Sequence, residues 1–420
     1  MISLDAAQQL VLSACLPMPA RTVSPNDALG CVTGAVVVAD SPVPWFANSA
    51  MDGFALRSQD VVAVPARLQV VASIAAGDMC HRPLQPGEAA RIMTGAPLPE
   101  GADAVCPVEQ TGDGHDPASV EVLVRTGRGT NVRYPGEDVR PGDRVIEPGT
   151  QLSPAHLGLL ASLGVEQLAV VPSPRVGVLS TGDELTTGPG PLAPGKIRDA
   201  NRHALLAAVR QMGCVPVDLG VVGDDEQLVS LALAEGALAC DAIVTSGGVS
   251  VGDFDVMRVV LQNACGGTMR WLQISMKPGK PFAFGTLDAS RTPVFGLPGN
   301  PVSALVSFEL IVRPALRQLG GHRLLHHPVL CATATSPISR KRDGKLHVIQ
   351  VTAAVDGNGH LCIRPVGQQA SHLLRAMADA NALVLLPDGE GVDAGETVDV
   401  LLPAINRVDR VDARTGAEVA

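Results

Sequence analysis

The sequence predicts a multidomain chain of α/β plus β class. It assigns a doubly wound parallel-sheet domain to residues 174–322, a β-rich domain to 27–145, a helical linker region to 1–26 with 146–173, and a small C-terminal β-barrel to 323–405. Three observations predict this arrangement. The chain has 420 residues, more than a single core holds. Between Pro174 and Leu319 strand, loop and helix patterns alternate strictly, which implies a parallel sheet covered by helices. On either side the helical period fades, and short apolar runs are separated by clusters drawn from 44 Gly and 33 Pro.

Leu4, Ala7, Leu10 and Val11 share one face of a helix expected within residues 1–25. Leu68 to Ile74 and Val120 to Val124 read as strands of the β-rich domain. Leu152 to Leu163, after Ser153-Pro154, reads as a second helix with proline in its first turn, expected to lie beside the N-terminal one. Four strand-helix units follow. Val176 to Leu179 precedes Leu205, Ala208, Val209 and Met212, with Gly213 as the stop, and Val215 to Leu219 precedes Leu228, Leu231 and Ala232. Ala242 to Thr245 precedes Val256, Val259 and Val260, and Val294 to Leu297 precedes Leu305, Phe308 and Val312. Val329 to Thr335, Lys345 to Val351, Leu361 to Pro365, Ala382 to Leu386 and Thr397 to Leu401 read as five strands of a small barrel or sandwich, before a charged tail at 406–420.

Composition excludes several function classes. A net charge of −10 and 2% aromatic residues offer neither a basic track nor stacking platforms, so no nucleic-acid partner is expected. The chain contains no 18-residue apolar span, and its N-terminus lacks the apolar core of a signal peptide; no membrane partner is expected, and the localisation is read as cytoplasmic. Nine cysteines stand singly without a C-x-x-C pair, which argues against a zinc site or disulfide framework and fits a reducing compartment.

In an open parallel sheet, ligands bind outside the carboxyl ends of the strands. The loops there read Ser180-Thr181-Gly182-Asp183-Glu184-Leu185, Gly220 to Gln227 with Asp224 and Asp225, Ser246-Gly247-Gly248 through Ser250 to Asp253 and Asp255, and Gly296 to Ala304 with Pro298-Gly299-Asn300-Pro301. Their carboxylates repel one another unless a divalent cation intervenes, and oxygen donors favour Mg²⁺ over zinc, with Glu184, Asp253 and Asp255 as metal candidates. Lys277-Pro278-Gly279-Lys280 offers two ammonium groups on a stiff turn; with backbone amides at the helix starts after Gly248 and Gly299 it suits a phosphate or oxyanion. Taken singly, such lysines are solvated surface charges, and the acid-rich neighbours favour the anion site. Asp52 and Thr94 stand in polar islands of the β-rich domain, where Asp-Gly and Thr-Gly also form ordinary turns. Gly248 to Gly252 matches the G-x-S-x-G elbow with Ser250 as nucleophile. Asp288, however, lies in a loop and His347, His360 and His372 lie in a separate β domain, while the paired glycines and following aspartates suit phosphate and metal better than acyl transfer.

In order along residues 2–402, MDGFA, TGAPLPEGADAV, GEDVRPGD, STGDEL, SGGVSVGDFD, KPGKPFAFG and GLPGNPVSA resemble the MoeA/gephyrin family of molybdopterin molybdenumtransferases. The resemblance implies a MogA-like α/β domain that binds molybdopterin. It implies a reaction in which adenylylated molybdopterin and molybdate give molybdenum cofactor and AMP, helped by Mg²⁺. It also implies a homodimer whose cleft sets Asp52 and Thr94 of one chain against Glu184, Asp224 or Asp225, and Asp253 of the other. Lys277 and Lys280 would neutralise the pyrophosphate, and Ser180, Thr181, Gly182, Asp183, Ser246, Gly247, Gly248, Ser250, Pro298, Gly299, Asn300, Pro301 and Ser371 would bind substrate. Expected partners are the adenylyltransferase of the same pathway and apo-molybdoenzymes. Gln350 stands where the family commonly has an arginine, and His372 where a glycine is usual. Alternative readings are a divergent paralogue with altered oxyanion preference, a non-enzymatic dimeric scaffold, and a transferase or ligase acting on another nucleotide-activated molecule. The chain has no G-x-x-x-x-G-K-[ST] pattern, which disfavours ordinary ATP hydrolysis.

Overall fold

Side-chain alternation along Arg175–Thr181 sets the central layer, because Val176 and Val178 enter one apolar cluster and Leu179 enters another. The computed structural model describes residues 1–112, 117–249, 256–288, 290–403 and 408–410. Its six-stranded sheet runs Val215–Val222, Arg175–Thr181, Ala242–Ser246, Pro293–Leu297, Pro281–Thr286, Arg270–Gln273. The first four strands are parallel, as the strand-helix alternation predicts. The fifth, Pro281–Thr286, runs antiparallel to both of its neighbours, so the sheet is mixed. The reason is length: the turn between Gln273 and Pro281 leaves no room for a crossover helix, and a short connection returns the chain antiparallel.

Asn201–Gln211 and the helical run from Pro301 to Leu319 cover one face through Leu205, Val209, Val302 and Val306. Glu226–Ala239 and Val256–Cys265 cover the other through Val229, Leu233, Met257 and Leu261.

The N-terminal helix spans Leu4–Ala14, shorter than expected, ahead of Pro17 and Pro19. Ser3 caps it by accepting the Ala6 N–H at 3.1 Å. It does not lie against the Pro154–Ser162 helix. Leu4, Ala7 and Val11 join the core of the α/β unit, whereas Leu160 packs with Ala28, Cys31, Leu168 and Val170 in a separate cluster. Pro314 explains the docking. It brings no N–H to the run from Pro301 to Leu319, which passes through a π-helical turn at Phe308–Val312, and the Leu310 carbonyl accepts from Gln8 Nε2 at 2.6 Å. Gln318 Nε2 reciprocates, donating to the Leu12 and Cys15 carbonyls at the end of the N-terminal helix at 2.8 Å each.

The β-rich sheet runs Ala104–Pro107, Gly53–Leu56, Glu88–Ile92, Ala66–Ile74, Ser119–Val122, with an apolar cluster on each face. At the C-terminus the five expected strands form a closed barrel in the order Leu346–Val355, Leu361–Pro365, Val329–Ala334, Thr397–Leu401, Ala382–Leu386 and back to Leu346–Val355. Leu346–Val355 pairs with Ala382–Leu386 through residues 347–351 and with Leu361–Pro365 through 351–355. One edge of its first residues is therefore open, and Met276–Lys277 of the α/β unit fills it in parallel, Met276 opposite Leu346 and Lys277 opposite His347. All nine cysteines are free; burial pushes the Cys15 and Cys214 thiols up to about 12. Among the described residues, no helix is long and apolar enough to cross a membrane.

Replacing Gln8 with Ala is expected to lower unfolding free energy by about 1–3 kcal/mol, because it strands a part-buried carbonyl. Urea denaturation measures it, and an unchanged midpoint would refute the staple.

Candidate functional site

Strand order reverses on either side of Arg175–Thr181, so the crevice opens where Ser180 and Ser246 stand opposite each other at the carboxyl ends. Both serines and Thr181 are buried. Gly247 is held at φ +99°, and a Cβ there would meet the Thr181 carbonyl oxygen at 2.7 Å. Only glycine lets these two strand ends approach so closely.

A segment absent from the sequence-level candidates ties the loops together. Asp199 accepts from Ser180 Oγ at 3.0 Å and from the buried Arg202 guanidinium at 2.8 Å, and Arg202 also pairs with Asp218. Asn201 Nδ2 donates to Ser246 Oγ at 2.7 Å and to the Gly299 carbonyl at 2.8 Å. Three of the four carboxyl-end loops thus meet on residues 199–202. The available signal was Asp199-Ala200-Asn201-Arg202 at a helix start, where Asp and Asn commonly satisfy free donors.

The acidic residues have local partners. Asp183 and Asp224 exchange hydrogen bonds from main chain to carboxylate, at 3.3 and 3.1 Å, and Lys196 donates to the Asp183 carbonyl. Asp225 caps Glu226–Ala239, accepting from Gln227 and Leu228 N–H at 2.9 Å each. Glu184 is exposed, with its carboxylate against Gly182 Cα. Ser250, Asp253 and Asp255 lie outside the described residues. Among the described residues, no group of three His, Cys, Asp or Glu side chains is arranged to hold a metal.

Where Met276–Lys277 joins the barrel, a cleft of about 1010 Å³ opens between the two units. Lys277, Gly279, Lys280, Pro298, Asn300 and Ser303 line it from the α/β side; Arg340, Lys345, His347, Gln350 and Ser371 line it from the barrel. No aspartate or glutamate is among its lining residues. Gly279 sits at φ +102°, and a Cβ there would meet Ser307 Oγ at 2.9 Å, so the lysine turn lies flush on the Pro301–Ser307 helix. That helix offers fewer amides than its sequence suggests: Pro301 has none, and Val302 N–H donates to the Ser371 carbonyl at 3.0 Å. The bond instead fastens barrel to α/β unit. Gln350 is buried, its N–H donating to Gln369 Oε1 at 3.0 Å, while His372 is exposed.

Asp52 and Thr94 do not line this cleft; they form their own exposed pair in the β-rich region. Asp52 Oδ1 accepts from both the N–H and the Oγ1 of Thr94 at 2.7 Å. The Thr94 amide, then its hydroxyl, hold the Asp52 carboxyl below its ordinary value, and Arg91 adds to this.

These features define a multidomain α/β protein with a topological-switch crevice and a neighbouring basic cleft. Three family models match in order: MoeA N-terminal region (domain I and II) over residues 2–164, a probable molybdopterin binding domain over 177–318, and MoeA C-terminal region (domain IV) over 332–402. Similar proteins include a molybdopterin molybdenumtransferase of Haemophilus influenzae, 37% identical over 407 residues, covering 95% of this chain and 98% of the relative. Molybdopterin molybdenumtransferase 2 of Mycobacterium tuberculosis is 40% identical over 390 residues, covering 90% and 93%. The crystal structure of a molybdopterin biosynthesis moeA protein from Pyrococcus horikoshii superposes with a TM-score of 0.79 at 27% identity, covering 96% of this chain and all of that one. The chain belongs to the MoeA family.

Gly247→Ala is expected to destabilise the fold by about 1–3 kcal/mol through backbone strain at positive φ, read by thermal or urea unfolding; a neutral substitution would contradict the close approach. The lowered Asp52 pKa contributes stability above the unfolded carboxylate value, lost as pH falls through the folded one. Thr94→Val removes the hydroxyl but keeps the amide, so the Asp52 pKa should rise part of the way toward 3.8 in an NMR carboxyl titration. An unmoved pKa would show that the hydroxyl contributes nothing.

Proposed function

We propose that the protein is a molybdopterin molybdenumtransferase, joining molybdate to adenylylated molybdopterin with release of AMP in molybdenum cofactor biosynthesis. The observation that carries this reading is the adjacency of two anion sites. Asn300 lines the basic cleft, and the preceding residue, Gly299, is bonded to Asn201 at the crevice. A phosphorylated pterin in the crevice and an oxyanion in the cleft would therefore lie on either side of the Pro298–Pro301 loop.

In this reading Ser180, Thr181, Ser246, Gly247 and Gly248 hold the pterin phosphate region, and Asn201 keeps their loops in register. Lys277 and Lys280, exposed and without a carboxylate partner among the described residues, bind the oxyanion and stabilise negative charge as the phosphoanhydride P–O bond breaks and AMP leaves. Water supplies the incoming oxygen, and no protein nucleophile is used. Ser371 and Asn300 add polar contacts at the cleft wall. Asp183, Asp224 and Asp225 position loops rather than bind substrate, as their hydrogen bonds support.

Glu184, Asp253 and Asp255 carry oxygen donors of the kind Mg²⁺ takes; together they would hold the ion, which would supply charge neutralisation at the leaving phosphate. The pair Asp52 and Thr94 acts on the crevice of a second copy in a homodimer, and the protein works in the cytoplasm. Gln350 puts a neutral amide on the cleft wall, leaving the lysines to provide the charge.

Lys277→Gln and Lys280→Gln are expected to lower molybdate-dependent AMP release at least tenfold each, with adenylylated molybdopterin binding retained, because each removes a charge-assisted anion contact. Release assays with apo-molybdoenzyme reconstitution test this. Wild-type rates in both variants would overturn the assignment.

A further inference from the structure

Lysine is scarce in this chain: only five of its 32 Lys and Arg residues are lysines. Four of those five, Lys277, Lys280, Lys341 and Lys345, line the cleft between barrel and α/β unit. A chain that uses arginine almost everywhere else places ammonium groups here, from two units, in a cleft lined by no acid.

The other basic groups of the cleft are already committed. Arg340 is fully buried at its side chain and donates to the Leu386 carbonyl at 3.0 Å, the Pro387 carbonyl and Asp388 at 2.6 Å. His347 Nε2 lies 3.1 Å from Asp343. Lys341 is exposed and has no carboxylate partner among the described residues, and Lys345 stands 3.9 Å from Asp343, a loose contact. A guanidinium is a planar fork suited to lasting bidentate pairs, whereas an ammonium is a compact charge that accepts a tetrahedral oxyanion from many directions and releases it. The volume supports transit over a tight fit, because about 1010 Å³ far exceeds one tetraoxo anion. The net charge of −10 matters as well, since an acidic surface repels a dianion unless a local positive field draws it in.

We propose that Lys341 and Lys345 form the barrel-side half of a capture site for a tetrahedral dianion, which they draw into the cleft and deliver to Lys277 and Lys280. The dianion is identified as molybdate only through the function proposed above, on which this inference rests. Capture raises the rate of productive encounter and contributes little once the anion is seated, so the effect falls on kcat/KM.

The test is the initial rate against molybdate at about 20 and 200 mM salt for wild type, Lys341→Gln with Lys345→Gln, and Lys341→Arg with Lys345→Arg. The glutamine pair should raise KM for molybdate about tenfold at low salt, change kcat less than threefold, and flatten the salt dependence. The arginine pair should restore the salt dependence. An unchanged KM at low salt, or an equal fall in kcat and kcat/KM, overturns the inference. Should the double variant fail to fold by circular dichroism, Lys341→Gln alone, at an exposed position, gives the same readout at smaller amplitude. If Lys277→Gln lowers the molybdate response and the barrel pair leaves it intact, capture fails and the proposed function stands. If neither pair affects the molybdate response, both fail.

Discussion

The parallel pairing of Met276–Lys277 with Leu346–His347 is the contact on which the rest of the architecture turns. Four chain segments converge there. Ile2 N–H donates to the Gln273 carbonyl at 2.9 Å, Ser275 N–H returns to the Ile2 carbonyl at 2.8 Å, and Leu346 N–H donates to the Ser275 carbonyl at 2.8 Å. Ile274 N–H closes the lysine turn onto the Lys280 carbonyl at 2.8 Å. The pairing exists because a barrel of five strands is closed by staggered partners, which leaves a short edge open at each end of its longest strand, one taken by Met276–Lys277 and the other by Asp409–Arg410. Filling that edge with α/β chain puts the lysine turn at the mouth of the barrel, and the cleft follows from this.

The proposed function is divided between two neighbouring spaces of different character. The crevice at the carboxyl ends is built from hydroxyls, glycines and main chain, with Asp183, Asp224 and Asp225 turned to capping and cross-bracing. The cleft is built from ammonium groups and amides. Between them lies the Pro298–Pro301 loop, pinned on one side by Asn201 and on the other by the bond from Val302 to Ser371. A displacement of either pin changes both spaces together. That geometry suits a reaction in which one anion must leave as another is seated, and it needs no covalent intermediate on the protein.

Much of the fold was legible in the sequence because its elements follow simple periods. The four parallel strands, their helices and the five barrel strands appear where alternation and i, i+3, i+4 spacing place them, but two helices turn other faces inward: Leu228, Leu231 and Val259 are exposed, whereas Val229, Leu233, Met257 and Leu261 are buried. What escaped was non-local. No periodicity reveals that Pro281–Thr286 returns antiparallel, that Pro314 leaves a carbonyl for Gln8 some 300 residues away, or that a two-residue strand crosses between units. For the site, loop composition singles out the segments of Ser180, Ser246 and Gly299, which the structure brings together on Asp199 and Asn201. Asp225 caps the Glu226–Ala239 helix, a local bond that loop composition does not reveal, and Asp199 and Asn201 are inconspicuous in the sequence because single polar residues at a helix start look like caps. The two lysines of the turn stood out as a motif, whereas Lys341 and Lys345 lie over 60 residues downstream and join them only through the fold.

The central claim is that the oxyanion binds among the lysines and not among the acidic loops. Its most direct test is a crystal of the full chain soaked in tungstate, the heavier congener of molybdate, with anomalous difference maps recorded at the tungsten edge. The account predicts a peak in the cleft bounded by Lys277, Lys280, Lys341 and Lys345, and its weakening when Lys277 and Lys280 are replaced by glutamine. A peak beside Asp183, Glu184 and Asp224 with the cleft empty would contradict it.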